Sequence, residues 1–218
     1  MNRAFLLHLL FLLSPISLCL AAAPLINDPV RPYEPLAVYA DIDHEQIYLG
    51  ELRGDPHMYE VTLGEEKEFV ITIMQEADSE TVSPSFILVK ENAQNRGVSE
   101  IGRIDAAKVP WETYRDANFA LSFRRAESFA ATLSPGVYRF EVSTPENEGK
   151  YMLLVGHEAN GDGYFTELSN IRFVQKFFGH SVFLILLSSY VMYPVGIMVI
   201  GFLLYVTWSR NMHKTRHD

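Results

Sequence analysis

The sequence predicts a mainly β protein: an exported antiparallel β-sandwich or jelly-roll-like domain, then an amphipathic juxtamembrane helix and one C-terminal transmembrane helix. Three observations predict it. Short stretches between Gln46 and Gly156 alternate apolar and polar residues with period two and are separated by Gly, Pro and Asn turns. The apolar period lengthens to three and four residues between Phe165 and Phe178. Val182 to Trp208 then runs twenty-seven residues without an acidic or basic side chain. At about 1.5 Å per residue such a run exceeds the roughly 30 Å of a hydrocarbon core.

Residues 1–23 read as a secretion signal. Met1-Asn2-Arg3 supplies a positive start, Ala4 to Leu20 an apolar stretch, and Ala21-Ala22-Ala23 the small residues before a cut. An uncleaved anchor is the competing reading, opposed by Ser14-Pro15 and His8 inside the run. Cys19 as a lipid-bearing cysteine is disfavoured by Leu18 before it.

The sandwich is expected over residues 24–163. Met58 to Leu63, Glu68 to Met74, Ser85 to Lys90, Phe119 to Phe123, Val137 to Ser143 and Lys150 to Gly156 read as strands. Weaker candidates at Gln46 to Leu52, Val98 to Ile104 and Ser128 to Leu133 bring the total to about nine. In the Val137 stretch, Tyr138, Phe140 and Val142 share one face and Arg139, Glu141 and Ser143 the other. Tyr151 to Val155 is apolar on both faces, as a central strand covered on both sides should be. Ala106 to Asn118 is the longest break, and within it Trp111 is expected to plug the core edge; the alternative is contact with a ligand.

Leu133-Ser134-Pro135-Gly136-Val137-Tyr138-Arg139-Phe140-Glu141-Val142, with Gly149-Lys150-Tyr151-Met152-Leu153-Leu154-Val155, resembles the closing hairpin of bacterial pre-peptidase C-terminal-type sandwich domains. Those are secreted β-sandwich accessories, so the resemblance implies a fold and not an activity. GOLD-domain cargo receptors share the layout, but the disulfide pair and coiled-coil stalk of that family are missing here.

Residues 164–180 form the predicted amphipathic helix. Phe165, Leu168, Ile171, Val174 and Phe178 make its apolar stripe, and Arg172 and Lys176 lie four apart. Two placements follow: at the lipid headgroups with the cations toward phosphate, or packed against the sandwich. Gly179 marks a joint before the span, residues 181–208. Near the middle of the span, Ser188, Ser189, Tyr190, Tyr193 and Pro194 cluster, and Gly196 and Gly201 allow close approach. Proline leaves one carbonyl without its donor and hydroxyls prefer a partner to lipid, so helix association is expected there; bonding to the helix's own carbonyls is the alternative. Tyr205 and Trp208 are interfacial anchors. The tail, residues 209–218, holds Arg210, Lys214 and Arg216 and is expected in the cytoplasm.

Removing Arg3 and the three tail cations from eighteen Lys and Arg leaves fourteen, and removing Asp218 from twenty-seven acids leaves twenty-six, an exported balance of minus twelve. Such a surface repels nucleic acid. The sole cysteine, Cys19, lies in the signal, and the exported part has no Asn-x-Ser/Thr acceptor; together these favour a bacterial inner membrane with the domain in the periplasm. No phosphate loop, nucleophile elbow or zinc-protease motif occurs. Asp41, Asp43 and Glu45 form the densest hard-ligand group, against the plainer reading of a solvated acidic segment. Glu158 to Gly163 opens like a calcium loop but has Ser169 at the closing position, so a turn is the better reading. No cofactor is implied and no enzyme is expected. The expected partners are the lipid bilayer and a membrane protein reached through the span. The function predicted is a membrane-tethered, non-catalytic interaction module or accessory subunit of an envelope complex; the alternative is a carbohydrate- or metal-binding periplasmic sandwich.

Overall fold

A computed structural model describes residues 23–92, 97–158 and 163–214, with side chains in the last helix described as far as Trp208. The signal segment, most of the Glu158 to Gly163 turn and the end of the tail lie outside the described residues.

The described chain is two sheets, a covering helix and a long apolar helix. The strands are β1 (Leu25–Asn27), β2 (Pro35–Ala37), β3 (Gln46–Arg53), β4 (His57–Leu63), β5 (Lys67–Glu76), β6 (Ser85–Glu91), β7 (Val98–Ile104), β8 (Glu112–Asp116), β9 (Leu121–Arg125), β10 (Phe129–Leu133), β11 (Gly136–Ser143) and β12 (Glu148–Val155). One sheet has the order β1-β3-β12-β5-β9-β8, with β10 pairing the first half of β5 on the edge whose second half takes β9. The other has the order β2-β4-β11-β6-β7.

The sandwich is mainly antiparallel, as expected, with two short parallel pairings. β1 runs parallel to β3, and β2 parallel to β4, so both sheets are mixed. Each short strand reaches its partner only after the chain has visited the other sheet, which gives the long connection that parallel pairing requires. These two strands escape a periodicity search because three residues are too few to show a period. β8 escapes for another reason: it is a charged edge strand, Glu-Thr-Tyr-Arg-Asp, inside the supposed break.

The main core lies between the sheets. Alternation in β11 sends Tyr138, Phe140 and Val142 inward, where Phe140 stacks on Tyr59 of β4 with ring centroids 4.8 Å apart. From the facing sheet come Tyr48, Phe69, Ile71, Ile73, Tyr151 and Leu153. Among them sits a polar chain: Tyr59 Oη and Tyr151 Oη are 2.9 Å apart, and Tyr151 Oη lies 2.8 Å from His57 Nδ1. Buried hydroxyls are tolerated when paired in this way.

A second core forms on the outside of the larger sheet. β12 is central there, and while Tyr151, Leu153 and Val155 face the partner sheet, Met152 faces outward with Leu49, Met74, Leu121 and Phe123. Helix α1 (Tyr164–Phe177) covers them with Ile171 and Val174, joined by Phe178 just past its end. Each such fully buried aliphatic contributes about 1.5–3 kcal/mol. Gly179 stops the helix at φ +84, with Gly179 N–H donating to Lys176 O at 3.0 Å and His180 N–H to Gln175 O at 2.9 Å. This left-handed stop needs no Cβ and satisfies the terminal carbonyls.

The apolar run does not continue as one helix. A 3-10 helix occupies Val182–Leu187, Ser188 is extended, and α2 begins at Ser189 and runs to Lys214. Its Ser189–Trp208 portion, twenty residues, is long and apolar enough to cross a membrane. Tyr190 and Tyr193 therefore stand in its first turns and not near the middle of a span.

Candidate functional site at the junction of sandwich and apolar helix

The β8–β9 turn is built to present carbonyls. Asp116 Oδ1 accepts from the N–H groups of Asn118 at 2.8 Å and Phe119 at 3.0 Å, and Ala120 takes a left-handed φ of +56. A carboxylate at the head of a turn commonly absorbs two N–H groups in this way. The carbonyls then face the other way. Ala117 O accepts from Ser189 N–H at 2.9 Å, Asn118 O from Ser188 Oγ at 2.6 Å, and Phe119 O from the buried Gln175 Nε2 at 2.8 Å. Ser189 Oγ donates to Asn118 Oδ1 at 2.7 Å. Three successive carbonyls of one turn thus hold α1 and the first residues of α2.

Pro194 has no N–H for the carbonyl four residues back, that of Tyr190. The missing donor comes from α1, whose Tyr164 Oη donates to Tyr190 O at 3.0 Å while the two rings sit 6.4 Å apart. Ser188, Ser189 and the proline-orphaned carbonyl of Tyr190 each find a hydrogen-bond partner within this chain. Tyr193 is exposed, and a Cβ on Gly196 would meet open space.

Further ties complete the junction. His180 Nε2 lies 2.5 Å from Glu76 Oε1 at the end of β5, Lys150 Nζ donates to Phe177 O at 2.7 Å, and Arg172 Nη1 donates to the carbonyls of His180 at 3.1 Å and Ser181 at 3.2 Å. The two placements weighed for the predicted stripe divide along α1. Ile171, Val174 and Phe178 pack on the sandwich, Leu168 is half-buried, and Phe165 and Lys176 face outward.

Trp111 is half-buried against the main core, its Nε1 donating to Ala106 O at 3.3 Å. The acidic segment does not converge. Asp41 pairs with His44 Nδ1 at 3.1 Å and Asp43 with Lys67 Nζ at 2.6 Å, and that ammonium holds the Asp43 carboxyl below its usual range. Burial instead pushes the Glu45 carboxyl up, with Asp116 adding repulsion. Among the described residues no group of three or more His, Cys, Asp and Glu is placed to hold a metal. Asp41 and Asp43 thus meet separate partners, His44 and Lys67, and Glu45 is half-buried.

The residues that sequence reasoning missed are Asn118, Gln175, Tyr164, Glu76 and His180. Counting four back from Pro194 identifies the Tyr190 carbonyl as in need of a donor, but not Tyr164 as the group that supplies it. All five are joined to the site only by tertiary folding.

No family model matches the chain, and no curated protein matches it. Among solved structures, the pre-peptidase C-terminal domain of a collagenase from Bacillus anthracis is similar at 19% identity and a TM-score of 0.34, over 59% of this chain and 98% of that one. A mitogen derived from Yersinia pseudotuberculosis is similar at 14% identity and a TM-score of 0.34, over 52% of this chain and 86% of that one. The chain loosely resembles the pre-peptidase C-terminal domain, at low identity and over part of its length.

Proposed function

We propose that the chain is a membrane-tethered, non-catalytic interaction module, an accessory subunit of an envelope membrane complex. The observation that carries this reading is the grip of the β8–β9 turn on Ser188 and Ser189. A sandwich fixed to its anchor by several short hydrogen bonds shows its faces at a set height and angle, which suits a subunit that makes contacts in a fixed assembly. In this reading α2 meets a partner through Tyr193, whose hydroxyl has no hydrogen bond among the described residues, and through the open surface at Gly196. The sandwich occupies the periplasmic side of a bacterial inner membrane and the basic tail the cytoplasm, a reading supported by the Lys and Arg of residues 209–218 and the signal-like start.

The test is purification of the full chain from native membranes in mild detergent. One membrane protein should co-purify in constant ratio, and Tyr193→Leu with Gly196→Leu should reduce that ratio without lowering the melting temperature of the chain. Recovery of the free chain alone, or of a protein retained equally by the double variant, would overturn the proposal.

A further inference from the structure

The break at Ser188 leaves part of the apolar run with no place in the helix that follows. Ser189–Trp208 is twenty residues long, which at about 1.5 Å each already spans the roughly 30 Å of a hydrocarbon core. Tyr190 and Tyr193 stand at one end of it and Tyr205 and Trp208 at the other, the positions at which aromatic belts fix a helix in depth. Val182–Leu187 precedes this stretch, six consecutive apolar residues in a 3-10 helix.

That segment is two-sided. Leu184 and Ile185 pack against the second core. Val182, Phe183, Leu186 and Leu187 do not: they are 55%, 74%, 54% and 56% exposed. The segment is also fixed in place, with Ser181 O held by Arg172 and Ser188 held by Asn118. The 3-10 helix packs alongside α1, and on α1 the residues Leu168, Arg172, Phe165 and Lys176 fall within a sector of about 80° at 100° per residue. Phe165 is 74% exposed and Lys176 is exposed too.

We propose that the outward side of Val182–Leu187, together with Phe165, is a lipid-contact surface seated at the polar–apolar boundary of the leaflet that α2 enters. The occupant is lipid because the surface is continuous with the membrane helix: Leu187 lies two residues before Ser189, and the segment is tied at both ends, Ser181 O to Arg172 and Ser188 to Asn118. The exposed ammonium of Lys176, in the same sector of α1 as Phe165, is suited to lipid phosphate, and apolar side chains accompanied by a cation are the pattern of interfacial segments. The sandwich is then half-embedded at its base and does not stand off on a stalk. The inference rests on α2 crossing the bilayer, and it requires no protein partner.

The test uses the full chain reconstituted in phosphatidylethanolamine–phosphatidylglycerol vesicles, with Cys19→Ser and one environment-sensitive fluorophore on Phe183→Cys or, in a second variant, Leu186→Cys. Val98→Cys on β7, 61% exposed, supplies the solvated reference, and Val199→Cys within α2 the membrane reference. Both interfacial probes should be blue-shifted, several-fold less quenched by iodide than the Val98 probe, and quenched more by lipids spin-labelled near the headgroup than by lipids labelled deep in the acyl chain. Iodide quenching at Phe183 and Leu186 equal to that at Val98, with Val199 protected, would overturn this proposal alone. A solvated Val199 probe would overturn the membrane placement of α2 as well.

Discussion

Tyr164 gives the Tyr190 carbonyl the hydrogen bond that Pro194 cannot, at 3.0 Å across twenty-six residues of chain. The pairing couples α1 to the first turns of α2. Tyr164→Phe should therefore lower stability by about 0.5–1.5 kcal/mol, the net worth of a typical hydrogen bond. In a Pro194→Ala background the alanine N–H becomes the donor, so the same Tyr164→Phe change should cost much less. Thermal unfolding of the four variants in detergent reads the coupling directly; equal losses in both backgrounds would remove Pro194 from the explanation.

Ser188 has a fully buried hydroxyl that donates to Asn118 O. Ser188→Ala leaves that carbonyl without this donor and should cost about 1–3 kcal/mol. Paired spin labels on the sandwich and on α2 should also show a broader distance distribution in the variant, checked by double electron–electron resonance.

The Tyr151 ring crosses the backbone of Gly50 so closely that a Cβ there would lie 2.3 Å from its Cζ and 2.6 Å from its Cε1. Gly50→Ala should destabilise by about 1–3 kcal/mol, as overpacking does. Because ring carbons are struck and not only the hydroxyl, adding Tyr151→Phe should fail to rescue it. Urea unfolding of the single and double variants provides the comparison.

His57 sits beside Tyr151 in the main core, and its burial holds the imidazole below its ordinary range, with the Arg53 charge adding to the effect and Asp28 opposing it. The unfolded imidazole takes up its proton near pH 6.5 while the folded one resists, so the unfolded state binds more protons below that pH. Stability is then full above about pH 6.5 and falls as the pH drops toward the folded value. His57→Gln should flatten the loss between pH 6.5 and 5 when denaturation midpoints are followed; an unchanged slope would place the acid sensitivity elsewhere.

Strands such as β11 and β12 were legible in the sequence because their period declares which face is wet, and β12 correctly read as covered on both sides. The covering element, α1, was legible as a helix but not as a lid, since a stripe of Ile, Val and Phe suits a protein surface and a lipid surface equally. The break at Ser188 was illegible for a different reason. Nothing local distinguishes Leu187-Ser188-Ser189 from continuous helix; the extended backbone there comes with bonds to Ala117 and Asn118, some seventy residues upstream. Hydroxyls in an apolar run need partners, but sequence order does not say that the partner of Ser188 and Ser189 is a turn of the preceding domain.

The glycine stop at Gly179 and the serine clasp at Ser188 leave only the short 3-10 segment between sheet and span, with no free hinge. Where a thin bilayer obliges a helix of fixed length to lean, a body fastened in this way leans with it. In the proposed membrane placement, the free edge along β7 would swing toward or away from the lipid as the helix tilts, making the domain a lever whose angle follows bilayer thickness.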